Sequence, residues 1–233
     1  MENNIHGVLQ YIMVFPSVYD MTNASMTTVR KQHFWEYFSG ATLNSRWNNF
    51  GSGTAVIQDS IDGGLLLTSP TNGAEGIDFS PADATKKRPF SQSGSVMIAV
   101  TQMTQAQYSV QYGNLRSNHH TEAGTRAGWT TAGQTNGNSG DNKIRLVSSG
   151  TATIDVDTTI ASANIHDLHV YKLELSSGTA SLSIDGALSG TGFASGSSNP
   201  TSQLMPCLIS ATAEGTISGG AKTKVMYCEA YNT

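Results

Sequence analysis

Apolar and polar residues alternate in short stretches along most of the chain. Between Ser95 and Met103, for example, Val96, Ile98 and Val100 occupy every second position. A period of two is that of a β-strand, whose successive side chains point to opposite faces. No segment carries a sustained helical period. The pattern predicts an all-β protein of roughly a dozen strands, with the strand spacing of a sandwich or barrel.

Turn residues separate these stretches. Asp62-Gly63-Gly64 leads into Leu65–Leu67, which predicts a hairpin. Asp185-Gly186 predicts a tight hairpin turn, because both residues tolerate a positive φ. One domain is therefore expected from about residue 33 to residue 233.

Residues 1–32 have no clear period and are interpreted as an N-terminal arm. Their longest apolar stretch is Gly7–Tyr19, but no Lys or Arg precedes it and Glu2 stands where positive charge is expected. We therefore expect no signal peptide and no membrane span. The arm is expected to contact neighbours in a homo-oligomer or a capsid assembly.

The polar surface is built from neutral side chains. Ser and Thr supply 28 and 26 residues, Gly supplies 24, and only 13% of residues are charged, with a formal net charge of -4. This composition excludes a coiled coil and disfavours a nucleic-acid partner, which usually requires a basic surface. It is typical of exposed β-structures that rely on neutral hydrogen bonds.

Three segments of the chain are informative together: Phe34–Trp47 (FWEYFSGATLNSRW), His169–Leu188 (HVYKLELSSGTASLSIDGAL) and Met205–Tyr231. In this order they resemble concanavalin A-like domains, the superfamily of laminin-G-like modules and family-16 glucanases. The resemblance implies a two-sheet antiparallel β-sandwich, a jelly roll, often with a concave glycan-binding face. It also implies that the first strand pairs with the last and that His169 is structural.

The catalytic pattern of family-16 glucanases, Glu-x-Asp-x-x-Glu, is not found in the chain. The nearest carboxylates, Glu75 and Asp78, have an odd offset that places them on opposite faces of a strand. We therefore expect a protein that is not an enzyme. A polysaccharide hydrolase or lyase remains a further alternative.

A glycan site requires aromatic faces and fixed hydrogen-bonding groups. The richest region predicts the following glycan-binding candidates: Tyr108, Tyr112, Arg116, His119, His120, Arg126 and Trp129. The alternative is that Tyr108, Tyr112 and Trp129 belong to the core or a sheet face.

Metal and disulfide signals are limited. Asp155 and Asp157 share a strand face and could hold Ca²⁺, but a solvated outer face is the alternative; no other cofactor is expected. Cys207 and Cys228 would face each other if the last two strands formed a simple hairpin, although buried free thiols are favoured.

These observations lead to one functional hypothesis and, beside the hydrolase or lyase already named, one other alternative. The hypothesis is a non-enzymatic structural or display protein of a virion, of capsid-decoration or tail-fibre type, located on the virion or an extracellular surface. It would have a glycan as a second partner. The alternative is a lectin or carbohydrate-binding module.

Overall fold

A computed structural model describes twelve segments of the chain, within which it forms strands and turns and no helix. They are residues 33–58, 63–71, 73–79, 94–103, 109–116, 126–132, 143–149, 153–157, 167–176, 179–192, 205–212 and 220–233. The N-terminal arm, residues 1–32, lies outside the described residues. None of the described residues belongs to a helix long and apolar enough to cross a membrane.

Fifteen strands are described, slightly more than the alternation predicts. They are β1 (His33–Glu36), β2 (Asn48–Gly51), β3 (Thr54–Ile57), β4 (Leu65–Thr68), β5 (Ala74–Asp78), β6 (Ser95–Met103), β7 (Ser109–Arg116), β8 (Arg126–Ala132), β9 (Lys143–Ser149), β10 (Thr153–Asp157), β11 (Leu168–Ser176), β12 (Thr179–Ile184), β13 (Ala187–Gly192), β14 (Met205–Thr212) and β15 (Lys222–Asn232).

The strands form two antiparallel sheets, as predicted. The eight-stranded sheet has the order β13-β12-β11-β6-β15-β4-β3, with β1 also paired to β15. The seven-stranded sheet has the order β10-β9-β8-β7-β14-β5-β2. The prediction of an all-β, two-sheet sandwich is confirmed.

The last strand organises the eight-stranded sheet. The first half of β15 pairs with β4, its second half pairs with β1, and β6 lies along its other edge. Phe34 of β1 stands opposite Ala230 of β15, so the predicted pairing of the first strand with the last is confirmed. The long strand thereby protects the edges of two short ones.

The core lies between the sheets and is lined by the alternating residues of both. Tyr171, Leu173 and Leu175 of β11 are buried there, as the alternation predicts. Leu173 stands opposite Leu182 in β12, which is buried in the same cluster.

A stacked aromatic pair joins the two sheets. The rings of Trp129 in β8 and Tyr171 in β11 are parallel within 3°, with centroids 4.8 Å apart. Gly113 stands opposite Trp129 in the neighbouring strand β7, and a Cβ atom at this position would overlap the Trp129 ring. The absence of a side chain at Gly113 therefore makes room for the stack.

The predicted turn at Asp185-Gly186 is confirmed. Both residues have positive φ, 53° and 83°, and they connect β12 to β13. The Asp185 carboxylate bonds His169 Nδ1 at 2.7 Å and accepts the Val170 N–H at 2.9 Å. His169 thus anchors the turn to β11, which is a structural role.

The two cysteines are buried and form no disulfide with each other, as favoured from the sequence. The simple hairpin that would place them face to face is wrong, because β14 and β15 belong to different sheets. Burial is the first cause of a raised pKa of the Cys228 thiol, followed by the nearby charge of Glu229.

The stack gives a testable prediction. Gly113→Ala should lower the free energy of unfolding by about 1–3 kcal/mol, because the added methyl group overpacks against a ring that Tyr171 holds in place. Urea denaturation measures the change.

A double-mutant cycle provides the control. In a Trp129→Leu background, Gly113→Ala should cost clearly less, because the smaller side chain leaves space for the methyl group. An equal cost in both backgrounds would show that the ring is not what requires glycine at position 113.

Candidate functional site

The seven-stranded sheet presents a face that points away from the core. Ile77, Leu115 and Leu208 face the core, so their strand neighbours Asp78, Asn114 and Cys207 lie on the opposite, outer face. The register aligns residues of all seven strands in one row, hereafter the polar row: Asn48, Asp78, Cys207, Asn114, Gly128, Val147 and Asp155.

The middle of the polar row is buried although it is not part of the core. Asp78 and Cys207 are fully buried and Asn114 is 4% exposed. Asn48 Nδ2 lies 3.5 Å from Asp78 Oδ1, at the limit of a hydrogen bond. Asn114 Oδ1 is buried and has no hydrogen-bond partner among the described residues. A buried amide oxygen in this position is costly unless it is satisfied, which makes it a candidate acceptor for a ligand hydroxyl.

A second row runs parallel to the polar row, two residues along each strand. It consists of Phe50, Gly76, Ile209, Tyr112, Thr130, Arg145 and Asp157. Phe50 is 7% exposed and covers Gly76, where any Cβ atom would overlap its ring. The outer face therefore carries an aromatic side chain beside the polar row.

The register brings together several of the residues that the sequence suggests. Tyr112 and Asp157 occupy the second row, and Asp155 occupies the polar row. Arg116 and Arg126 stand opposite each other in a third row with Met205. Tyr108, His119 and His120 lie outside the described residues.

Trp129 does not belong with these candidates. It is 1% exposed and its ring stacks on Tyr171 between the sheets. A sugar cannot reach that ring face, so the glycan-binding role suggested for Trp129 is corrected to a core role. The physical reason is the alternation of side chains along β8. Gly128 lies on the outer face, in the polar row, so its neighbour Trp129 must point into the core.

The sequence reasoning missed most of the polar row. The comparison with the glucanase pattern draws attention to Asp78 alone, and no sequence motif marks Asn48, Asn114 or Phe50. The signal available was the alternation of β7, which places Asn114 with Tyr112 and Arg116 on one face. That signal does not reveal which strands are neighbours.

Glu75 and Asp78 lie on opposite faces of β5, as predicted. Glu75 aligns with Ser210 and Gly51, whereas Asp78 aligns with Cys207 and Asn48. Glu75 Oε2 accepts the Gly53 N–H at 2.8 Å. Burial raises the pKa of the Glu75 carboxyl group, against the hydrogen bonds from Gly53 and Asn49 that lower it.

The positions of Asp155 and Asp157 lie on the edge strand β10, paired with β9. Five strand spacings separate β10 from β5, or about 24 Å at roughly 4.8 Å per strand, so Asp155 and Asp78 cannot act on one bond. Among the described residues, no group of three or more His, Cys, Asp or Glu side chains could hold a metal ion.

Solved structures share this arrangement of strands. A Crh5 transglycosylase has 16% sequence identity and a TM-score of 0.61, with 86% of this chain and 84% of that chain covered. A family-16 enzyme of a Bacteroides ovatus mixed-linkage glucan locus has 12% identity and a TM-score of 0.62, with 84% and 99% covered. An endo-β-1,3-glucanase from Pyrococcus furiosus has 12% identity and a TM-score of 0.61, with 85% and 93% covered.

The chain has the concanavalin A-like jelly-roll fold. No protein-family model and no curated protein sequence matches it. The resemblance noted in the sequence is therefore confirmed at the level of the jelly-roll fold.

The comparisons correct the functional hypothesis. The expectation of a non-enzymatic virion protein is wrong, because several of the jelly rolls that this chain resembles are named as glucanases and transglycosylases. The N-terminal arm, the missing signal peptide and the low-charge composition, on which the virion hypothesis rests, are features that many kinds of protein share. The missing Glu-x-Asp-x-x-Glu pattern, on which the expectation of a non-enzyme rests, is one arrangement of carboxylates among several.

The buried carboxyl group of Glu75 gives a prediction about pH. Its pKa is raised in the folded state, so the folded protein holds this proton more tightly than the unfolded chain. Stability should therefore fall as pH rises from the unfolded pKa, about 4.3, through the folded pKa. Glu75→Gln removes this titration and should become more stable relative to the wild type over that range.

Urea denaturation of both proteins between pH 4 and pH 7 measures the difference. Glu174→Gln is the control, since Glu174 is 42% exposed and pairs with Lys172 on the protein surface. A difference between wild type and Glu75→Gln that stays constant with pH would contradict the assignment.

Proposed function

We propose that the chain binds a polysaccharide along the outer face of the seven-stranded sheet and cleaves or transfers it. The observation that carries the proposal is the polar row, where Asp78 and Asn114 are buried on a face that is not the core. Neutral amides and one carboxylate are suited to the hydroxyl groups of a neutral sugar. The low charge of the chain agrees with such a ligand.

The fold supports the same class of substrate. Jelly rolls named as acting on β-1,3-glucan and mixed-linkage glucan superimpose over most of this chain. Fold alone does not establish an activity, since one fold serves many functions. The polar row supports the same class of substrate independently, because its side chains belong to this chain.

Asp78 is the acidic residue of the proposed site. Among the side chains that the structure describes on the outer face, it is the only carboxylate. A protonated carboxyl group at the glycosidic bond can give its proton to the leaving oxygen, while a water molecule or a sugar hydroxyl group attacks the anomeric carbon and returns a proton to the carboxylate. Asn48 lies beside Asp78 in the polar row, Asn114 lies one strand further on, beyond Cys207, and both are assigned to orient sugar hydroxyls.

Laminarin and mixed-linkage glucan are the test substrates. The wild type should bind them and release shorter products, which chromatography of the products detects. Asp78→Asn should lower the rate of product release by roughly 100-fold or more, because the amide cannot transfer the proton. Its binding should change far less.

Asp185→Asn is the matched control, because Asp185 lies in a turn of the other sheet and is half-exposed. It should keep full activity in the folded fraction. A wild type that binds neither glucan, or an Asp78→Asn variant with full activity, would contradict the proposal. Binding without product release would contradict cleavage and retain only glycan recognition.

A further inference from the structure

A group of aromatic rings lies on the outer face of the eight-stranded sheet, on the opposite side of the sandwich from the polar row. Trp35 and Tyr37 are 56% and 46% exposed, unusual values for such large apolar rings. Tyr227 and Tyr231 of β15 lie on the same face, as does His33 of β1. These five residues, with Glu229, are hereafter the aromatic patch.

The rings of the patch are in contact with one another. Trp35 and Tyr37 have centroids 5.7 Å apart at 67°, and Tyr37 and Tyr227 have centroids 4.8 Å apart at 45°. An open group of exposed rings offers its faces to sugars, whereas a cation would be better held by rings that enclose it.

A buried carboxylate, Glu229, holds these rings in place. Glu229 is 2% exposed, and its two oxygens are bonded by His33 Nε2 at 2.8 Å and by the Tyr227 hydroxyl at 2.9 Å. Burial, and then the charge of Glu229, raise the pKa of Tyr227, so its hydroxyl stays a donor to that carboxylate. The Tyr227 ring is thereby fixed where Tyr37 packs against it.

The charges of the patch favour a neutral ligand. Its one carboxylate has both oxygens engaged within the patch, and it contains no Lys or Arg. Exposed rings with hydroxyl groups at their rim offer stacking to sugar C–H groups and hydrogen bonds to sugar hydroxyls. A neutral polysaccharide has this combination of surfaces.

We propose that the aromatic patch is a second polysaccharide-binding site, on the face opposite to the polar row. Trp35 and Tyr37 contact the sugars by stacking, and Glu229 acts as a positioning residue through His33 and Tyr227. The site would hold the protein on an extended neutral glycan while the polar row binds another part of the same polysaccharide. It can exist whether or not the polar row is catalytic.

Tryptophan fluorescence tests the site directly. The chain has three tryptophans, and Trp47 and Trp129 are 5% and 1% exposed, so acrylamide quenching reports mainly on Trp35. Adding laminarin to the full-length protein should protect the fluorescence from acrylamide. In Trp35→Phe the protection should disappear. Unchanged quenching of the wild type at saturating laminarin would overturn the proposal.

Affinity electrophoresis in laminarin gels tests the energetics. Trp35→Ala and Tyr37→Ala should each weaken retention by about fivefold or more, as expected for a central aromatic contact. Leu188→Ala is the matched control, because Leu188 is also exposed on this sheet but lies in β13. Its retention should equal that of the wild type.

The same measurements in an Asp78→Asn background separate the two sites. The loss caused by Trp35→Ala should persist there, even if Asp78→Asn has no effect on cleavage. Equal retention of Trp35→Ala and wild type would overturn the second site and would leave the role proposed for the polar row unaffected. Light scattering tests the other use of the patch, contact with a second copy of the protein. If the wild type is a dimer and Trp35→Ala is a monomer with unchanged laminarin retention, the patch is a dimer interface and the proposed glycan site is overturned.

Discussion

The stack of Trp129 on Tyr171 is the contact on which the rest of the molecule depends. It joins the two sheets through rings 4.8 Å apart, and it is possible only because Gly113 leaves space beside it. Once Trp129 faces the core, the period of two decides the direction of its strand neighbours. Asn114 and Gly128 must then lie on the outer face, in the row that also holds Asp78. The core contact thus determines the chemistry of the outer surface.

The two outer faces of the sandwich differ in kind. The outer face of the seven-stranded sheet buries the Asn114 amide and the Asp78 carboxylate, the groups that we propose orient a sugar and transfer a proton. The eight-stranded sheet exposes Trp35 and Tyr37, which suit stacking along an extended chain. A sandwich can carry both because each strand has one face for the core and one face for a ligand. Two sites on opposite faces would let one molecule contact a polysaccharide at two points.

Several features could be predicted from the sequence because they are local. The alternation predicted the strands, Asp185-Gly186 predicted a turn with two positive φ values, and the odd offset of Glu75 and Asp78 predicted opposite faces. The candidate site was only partly predictable. Tyr112, Arg116 and Arg126 occupy outer-face rows, whereas Trp129 belongs to the core. The sequence could not predict this, because a tryptophan in a strand is suited to the core and to a ligand-binding face alike.

The sequence by itself determined the strand period, the turns and the neutral character of the surface, because each depends on residues close together in the chain. The tertiary structure alone decided that Asp78, Cys207 and Asn114 form one row, since they come from three strands far apart in sequence. It also decided that His33 and Tyr227 converge on Glu229. Such contacts require strands to pair across long loops, and the residues of one strand do not encode which partner lies beside it.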